Sequence, residues 1–261
     1  MTTPKVLILR TAGTNCNYET QYAFEKAGAK VDVFHINVLL ENKKLLHEYH
    51  ILTLPGGFTY GDDVAAGKIL ANQIKYHLEE DITAFLNDKK LILGICNGFQ
   101  TLTKAGLLPA IDNHHQEATL TFNDSNKFED RWVYLKICSN KSPFVNDGDL
   151  PKMYLPIAHG EGKFVTKDDF TLNKITSNSQ AVFKYVNEQG EDAGYPWNPN
   201  GSLANIAGIC DPTGQILGMM PHPERHVESI QHPRWTRNGL KEFGDGFFIF
   251  KNAVHYVKTH F

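Results

Sequence analysis

The sequence predicts an α/β fold: an open, mostly parallel sheet with helices on both faces, carrying an antiparallel β extension. Three observations lead there. Short apolar runs at 5–10, 31–35, 51–54 and 91–95 alternate with helix-like patterns through the first hundred residues, as strands and covering helices do in a doubly wound sheet. Gly13, Gly56 and Cys96 each fall at or just beyond the carboxyl end of such a run, where sites form in these sheets. From residue 118 the pattern changes to strands rich in Thr, Val and aromatic residues, the mark of antiparallel pairing.

Taken in order, residues 5–10 read as the first strand and 17–27 as a helix stopped by Gly28. Strands follow at 31–35 and 51–54. One long helix is expected over 66–87, then the strand 91–95 and a helix over 97–105. The extension takes strands at 118–122, 131–137, 153–159 and 181–186. Residues 206–210 and 216–220 form an expected hairpin, and 246–259 a closing helix whose GDGFFIF stretch reads as core. No repeat, low-complexity tract or linker interrupts the chain, so residues 1–261 are expected to form a single domain.

At 261 residues with 41% hydrophobic content, the chain can bury a full core. A net charge of −3 gives no electrostatic reason to expect nucleic acid or an anionic membrane. Cys16, Cys96, Cys138 and Cys210 have no metal-ligand spacing and are too sparse for a disulfide framework, which fits a reducing cytoplasm. The N-terminus lacks the long apolar region of a signal peptide, and no stretch approaches the roughly 20 apolar residues of a spanning helix.

Chemistry concentrates in three segments. In LILGICNGFQTL a strand ends at Gly94-Ile95-Cys96-Asn97-Gly98 and a helix begins at once, the arrangement of a nucleophile elbow. A helix N-terminus beneath the sulfur favours thiolate. The alternative, a structural Cys between two packing glycines, weakens once a base is found. Pro221-His222-Pro223-Glu224 supplies His222 as base and Glu224 as the group that orients it; two residues apart on an extended segment, both side chains leave the same side. After the strand at 51–54, Pro55-Gly56-Gly57 offers unshielded N–H groups, with Gly57 and Asn97 as the expected oxyanion donors.

Cys elbow, P-G-G loop and H-P-E together resemble the class I (triad) glutamine amidotransferases, of flavodoxin-like fold. Gly13-Thr14-Asn15-Cys16-Asn17, Gly56-Gly57-Phe58-Thr59-Tyr60-Gly61-Asp62, His159-Gly160-Glu161-Gly162 and Asn198-Pro199-Asn200-Gly201-Ser202 are similar to the glutaminase components of phosphoribosylformylglycinamidine synthases. The resemblance runs from about residue 5 through the 223–237 segment; Ala12, where relatives often carry proline, departs from it.

The resemblance implies a Cys96–His222–Glu224 triad that hydrolyses glutamine through a thioester, with Gln100 holding the substrate. Gly56, His159, Glu161, Asn198 and Asn200 are further expected glutamine-binding residues. It also implies an ATP-dependent formylglycinamidine ribonucleotide synthetase subunit as partner and, in some relatives, a small accessory subunit. ATP and Mg ions are expected on that partner, because this chain carries no P-loop. Cys16 is expected to shape the site or dock the partner. No metal is expected, the His114-His115 pair having no converging ligands. Two rivals remain. A protease, chaperone or deglycase of the related superfamily typically carries His directly after the Cys, where Asn97 stands here. A noncatalytic module on the same fold is expected to have lost a triad residue, and all three are present.

Overall fold

The computed structural model describes residues 2–112, 115–146, 148 and 150–261. His114, and with it half of the His114-His115 pair, lies outside them. The strands are β1 (Lys5–Arg10), β2 (Lys30–His35), β3 (Ile51–Leu54), β4 (Leu91–Ile95), β5 (Ala118–Thr121), β6 (Glu129–Ile137), β7 (Lys152–His159), β8 (Lys163–Thr166), β9 (Ala181–Val186), β10 (Ile206–Cys210) and β11 (Ile216–Met219). The helices are α1 (Asn17–Lys26), α2 (Ile36–Glu41), α3 (Lys68–His77), α4 (Glu79–Asn87), α5 (Asn97–Lys104), α6 (Asp169–Ser177), α7 (Trp235–Asn238) and α8 (Phe247–His260).

Nine strands make one sheet in the order β2-β1-β3-β4-β11-β10-β9-β6-β7. The first five pair in parallel and the rest antiparallel, so the expected mixed sheet is what forms. The chain runs outward from β1 to β2 and then back past β1 to β3 and β4. With right-handed crossovers this reversal puts α1 and α3 on opposite faces. On one face α1 meets α8 through the edge-to-face pair Phe24 and Phe250, 4.9 Å between centroids. Strands β3 and β4 are buried throughout, as expected of central parallel strands covered on both sides.

Three expectations change. The helix expected over 66–87 breaks at Leu78, whose φ of −123° leaves the helical region, and the acidic Glu79-Glu80-Asp81 then opens α4. Strand β5 leaves the main sheet and pairs only with β8, an unexpected strand, in a two-stranded ribbon. The hairpin of β10 and β11 forms as expected, but β11 also pairs in parallel with β4 from Ile216–Ile92 to Met219–Ile95. That second pairing carries the H-P-E segment to the carboxyl end of β4, beside Cys96.

Candidate active site

Cys96 occupies a left-handed conformation (φ 49°, ψ −102°) between β4 and α5, which a non-glycine residue adopts only when its surroundings enforce it. Its N–H is held by the Met219 carbonyl at 2.8 Å. Gly98 permits the turn: a Cβ there would stand 1.9 Å from the Leu54 carbonyl oxygen, so only glycine lets α5 start this close to β3. The result is the expected elbow, with Cys96 5% exposed at the floor of a cleft.

His222 and Glu224 approach from β11. The His222 N–H donates to the Pro156 carbonyl of β7 at 2.8 Å, which fixes the segment across the sheet. His222 Nδ1 and Glu224 Oε1 are 2.6 Å apart and both side chains are fully enclosed. They meet through a short 3-10 turn over Pro223–Arg225 that His222 caps, and not through the period of an extended strand as expected. Burial opposes a charged imidazole. The Glu224 carboxylate, then Cys96 and Cys16, outweigh it and raise His222 well above its ordinary pKa. Nε2 of His222 is buried and has no hydrogen-bond partner, so it is free to exchange a proton with a reacting group.

Gly57 lines the cleft with Cys96. The bridge between Thr14 and Gly57 uses the N–H groups of Asn15 and Phe58, so Gly57's own N–H is outside the pairing. Asn97 is the first residue of α5, and its N–H has no carbonyl within the helix. Both main-chain donors are therefore available where an oxyanion would form. At Gly56 a Cβ would stand 2.7 Å from His222 Cε1, so glycine makes room there for the imidazole.

Gln100, His159 and Glu161 all line the cleft. Gln100 accepts from Asn97 Nδ2 at 2.9 Å and donates to the Glu161 carbonyl at 2.6 Å. His159 is pressed to a pKa of about 3 by burial, with His222 adding to the effect, so it is neutral. Asn198 and Asn200 are not among the residues that line the cleft. Asn198 Nδ2 bonds the Ser202 carbonyl at 3.0 Å, and Asn200 Nδ2 bonds the Gly162 carbonyl at 2.8 Å. The 198–202 loop buttresses the turn after β7 from below.

Sequence reasoning missed Asp62 and Lys104 on one side of Cys96, and Asn15 and Arg225 on the other. Asp62 lines the cleft and accepts from Asn97 Nδ2 at 2.9 Å, while buried Lys104 stands 3.6 Å from Glu161 Oε2. The repeated glycines of Gly56-Gly57-Phe58-Thr59-Tyr60-Gly61-Asp62 were the available signal for the first. On the other side of Cys96, Asn15, Cys16, His222 and Arg225 line a second recess. Cys16 is fully buried, with Sγ 4.0 Å from His222 Nδ1 and 3.1 Å from an Arg225 guanidinium nitrogen. Cys16 thus shapes the site and offers no surface for docking. Donor atoms of Cys16, His222 and Glu224 fall within 4.8 Å of one another, but Arg225 on the sulfur and the short His222–Glu224 bond occupy the positions a cation would need.

Comparison with known proteins shows the family. Residues 3–257 match the model of the CobB/CobQ-like glutamine amidotransferase domain. The chain is 48% identical over 259 residues to the phosphoribosylformylglycinamidine synthase subunit PurQ of Dehalococcoides mccartyi, covering 99% of each chain. It is 46% identical over 267 residues to the same subunit of Methanococcus maripaludis, covering 97% of each. Among solved structures it resembles a chain of PurLQS from Thermotoga maritima, with a TM-score of 0.74 and 32% identity over 98% of this chain and 100% of that one. The chain is a glutamine amidotransferase of the CobB/CobQ-like family and belongs, within it, with the PurQ subunits of phosphoribosylformylglycinamidine synthase.

Proposed function

We propose that this chain is the glutaminase subunit of a phosphoribosylformylglycinamidine synthase, releasing ammonia from glutamine for an ATP-dependent synthetase subunit in purine biosynthesis. The observation that carries the reading is the strained Cys96 elbow brought beside a buried His222–Glu224 pair bonded at 2.6 Å. Cys96 thiolate attacks the side-chain amide carbon of glutamine, and the oxyanion is met by the Gly57 and Asn97 N–H groups. His222, protonated and steadied by Glu224, gives its proton to the amide nitrogen, so ammonia leaves and a glutamyl thioester remains on Cys96. His222 then takes a proton from water, whose hydroxide attacks the thioester and releases glutamate.

The partner of this reading is the synthetase subunit, with a small accessory subunit in the assembly. ATP and Mg ions belong to the synthetase, and this chain needs no metal of its own. Exposed Phe58, Phe122 and Phe128 ring the mouth of the cleft, with Phe58 and Phe128 stacked at 6.4 Å, an apolar rim suited to being covered by that partner. No helix among the described residues is long and apolar enough to cross a membrane. A cytoplasmic location follows from the pathway. The test is acid quenching during turnover: a glutamyl thioester on the Cys96 peptide, found by mass spectrometry and absent from Cys96→Ala, is expected, and a thioester on Cys16 would contradict the assignment.

A further inference from the structure

The cleft beside Cys96 is charged with one sign. Its lining carboxylates are Asp62 and Glu161, and the imidazole beside them, His159, is neutral. Lys104 stands behind the wall, 7% exposed, with Nζ on the Ala66 carbonyl at 2.7 Å and 3.6 Å from Glu161 Oε2. Glu161 is thereby neutralised. Asp62 makes no ion pair with any lysine or arginine among the described residues, and the trio carries one net negative charge facing the cleft.

Asp62 is held there against two costs. Burial raises its carboxyl above the usual range, an effect that the Asn97 amide opposes. Tyr60, Gly61 and Asp62 have φ of 55°, 71° and 54°, three successive left-handed residues of which only one is glycine. The tie to Asn97, the residue directly after Cys96, fixes the carboxylate relative to the nucleophile's own turn of helix.

A separate observation points to a missing donor. Asn123 Nδ2 donates to the carbonyls of Lys127 and His159, each at 2.8 Å, so its Oδ1 is the atom 3.1 Å from His159 Nδ1. The proton of the neutral ring is therefore on Nδ1, and Nε2 is an acceptor. This acceptor, on a side chain 2% exposed in the lining of the same cleft, has no partner. Glutamine brings five N–H donors, three on its α-ammonium and two on its amide.

We propose that Asp62 binds the α-ammonium of glutamine and so selects an α-amino acid amide over a simple amide. The inference rests on the glutaminase reading of the site. Lys104 offsets only one of the two carboxylates, acting on Glu161 first and on Asp62 as well, and the ammonium supplies the second cation that this trio lacks.

The test compares kcat/KM for glutamine and for 4-carbamoylbutanoate, which is glutamine without its amino group, using the chain assembled with its synthetase. The wild type is expected to prefer glutamine by at least about 100-fold, because a site built around a substrate donor strongly rejects the analogue that lacks it. In Asp62→Asn, which keeps an oxygen for Asn97, the preference should fall at least tenfold through a higher KM for glutamine, with the analogue unaffected. Equal losses on both substrates would show a structural role through Asn97 and overturn the proposal. If Asp62→Asn does not fold, Asp62→Ser is read in the same way, and equal use of the two amides by the wild type overturns the proposal without any variant. Wild-type assemblies that hydrolyse neither amide would instead refute the glutaminase reading.

Discussion

His222 and Glu224 are bonded through Nδ1 and Oε1 at 2.6 Å inside a wall that leaves both side chains out of water. Burial alone would keep the ring neutral, and the carboxylate reverses this. Glu224→Gln is therefore expected to move the His222 titration to lower pH, since burial then acts without its largest opponent. By comparison with orienting carboxylates in other triads, kcat should fall by roughly 10³- to 10⁴-fold. The pH profile of kcat/KM checks the direction. An unmoved limb would mean that Glu224 does not set the charge of the base.

Asn97 links three parts of the site through one side chain. Its Oδ1 accepts from the Thr59 N–H at 3.1 Å, and its Nδ2 donates to Asp62 and Gln100, each at 2.9 Å. Asn97→Ala leaves a buried N–H unsatisfied, at about 1–3 kcal/mol, and frees the 57–66 loop. Denaturant unfolding should register that loss, and KM for glutamine should rise by more than kcat falls. A change in kcat alone would argue against this linkage.

His159 gives the protein a defined acid sensitivity. Its pKa of about 3 in the folded state lies below the roughly 6.5 of an unfolded histidine. The unfolded chain therefore binds more protons between these values, so the contribution is fully present above pH 6.5 and is lost as pH falls toward 3. The slope is about 1.4 kcal/mol per pH unit for this one group. Urea unfolding at pH 7 and pH 5 should show a smaller difference in His159→Gln than in the wild type; an equal difference would assign the acid sensitivity elsewhere.

Gly98→Ala tests the elbow by sterics alone. The added methyl would lie 1.9 Å from the Leu54 carbonyl oxygen, which is main chain and cannot rotate away. A loss of about 1–3 kcal/mol in stability is expected, together with loss of glutaminase activity as Cys96 shifts. Gly148→Ala, where nothing lies within 4 Å, is the control and should be neutral in activity.

The two local halves of the Cys96, His222 and Glu224 group were legible because each is contiguous in the chain. A strand, a Cys between glycines and a helix are contiguous in 91–104, and His222 and Glu224 share one turn. Their meeting was not local: it needs β11 to lie parallel to β4, a pairing between residues more than a hundred positions apart that periodicity cannot report. That Asn198 and Asn200 brace their own loop and the turn after β7 was not legible, because a loop of Asn, Pro and Gly has the same composition whether it binds a ligand or props up a neighbouring turn. Asp62 was missed for a related reason. The loop's glycines mark a turn, but Tyr60, Asp62 and Val64 adopt left-handed φ without being glycine, so the residue types do not give the way it bends into the cleft. The break at Leu78 likewise has no Gly or Pro to mark it.

The most direct test of the account is glutamate release from glutamine by the wild-type chain and by Cys96→Ala, each alone and with the synthetase subunit and its nucleotide substrate. The account predicts release that rises on assembly and is abolished by Cys96→Ala. Release that survives Cys96→Ala, or that is indifferent to the synthetase, would contradict it.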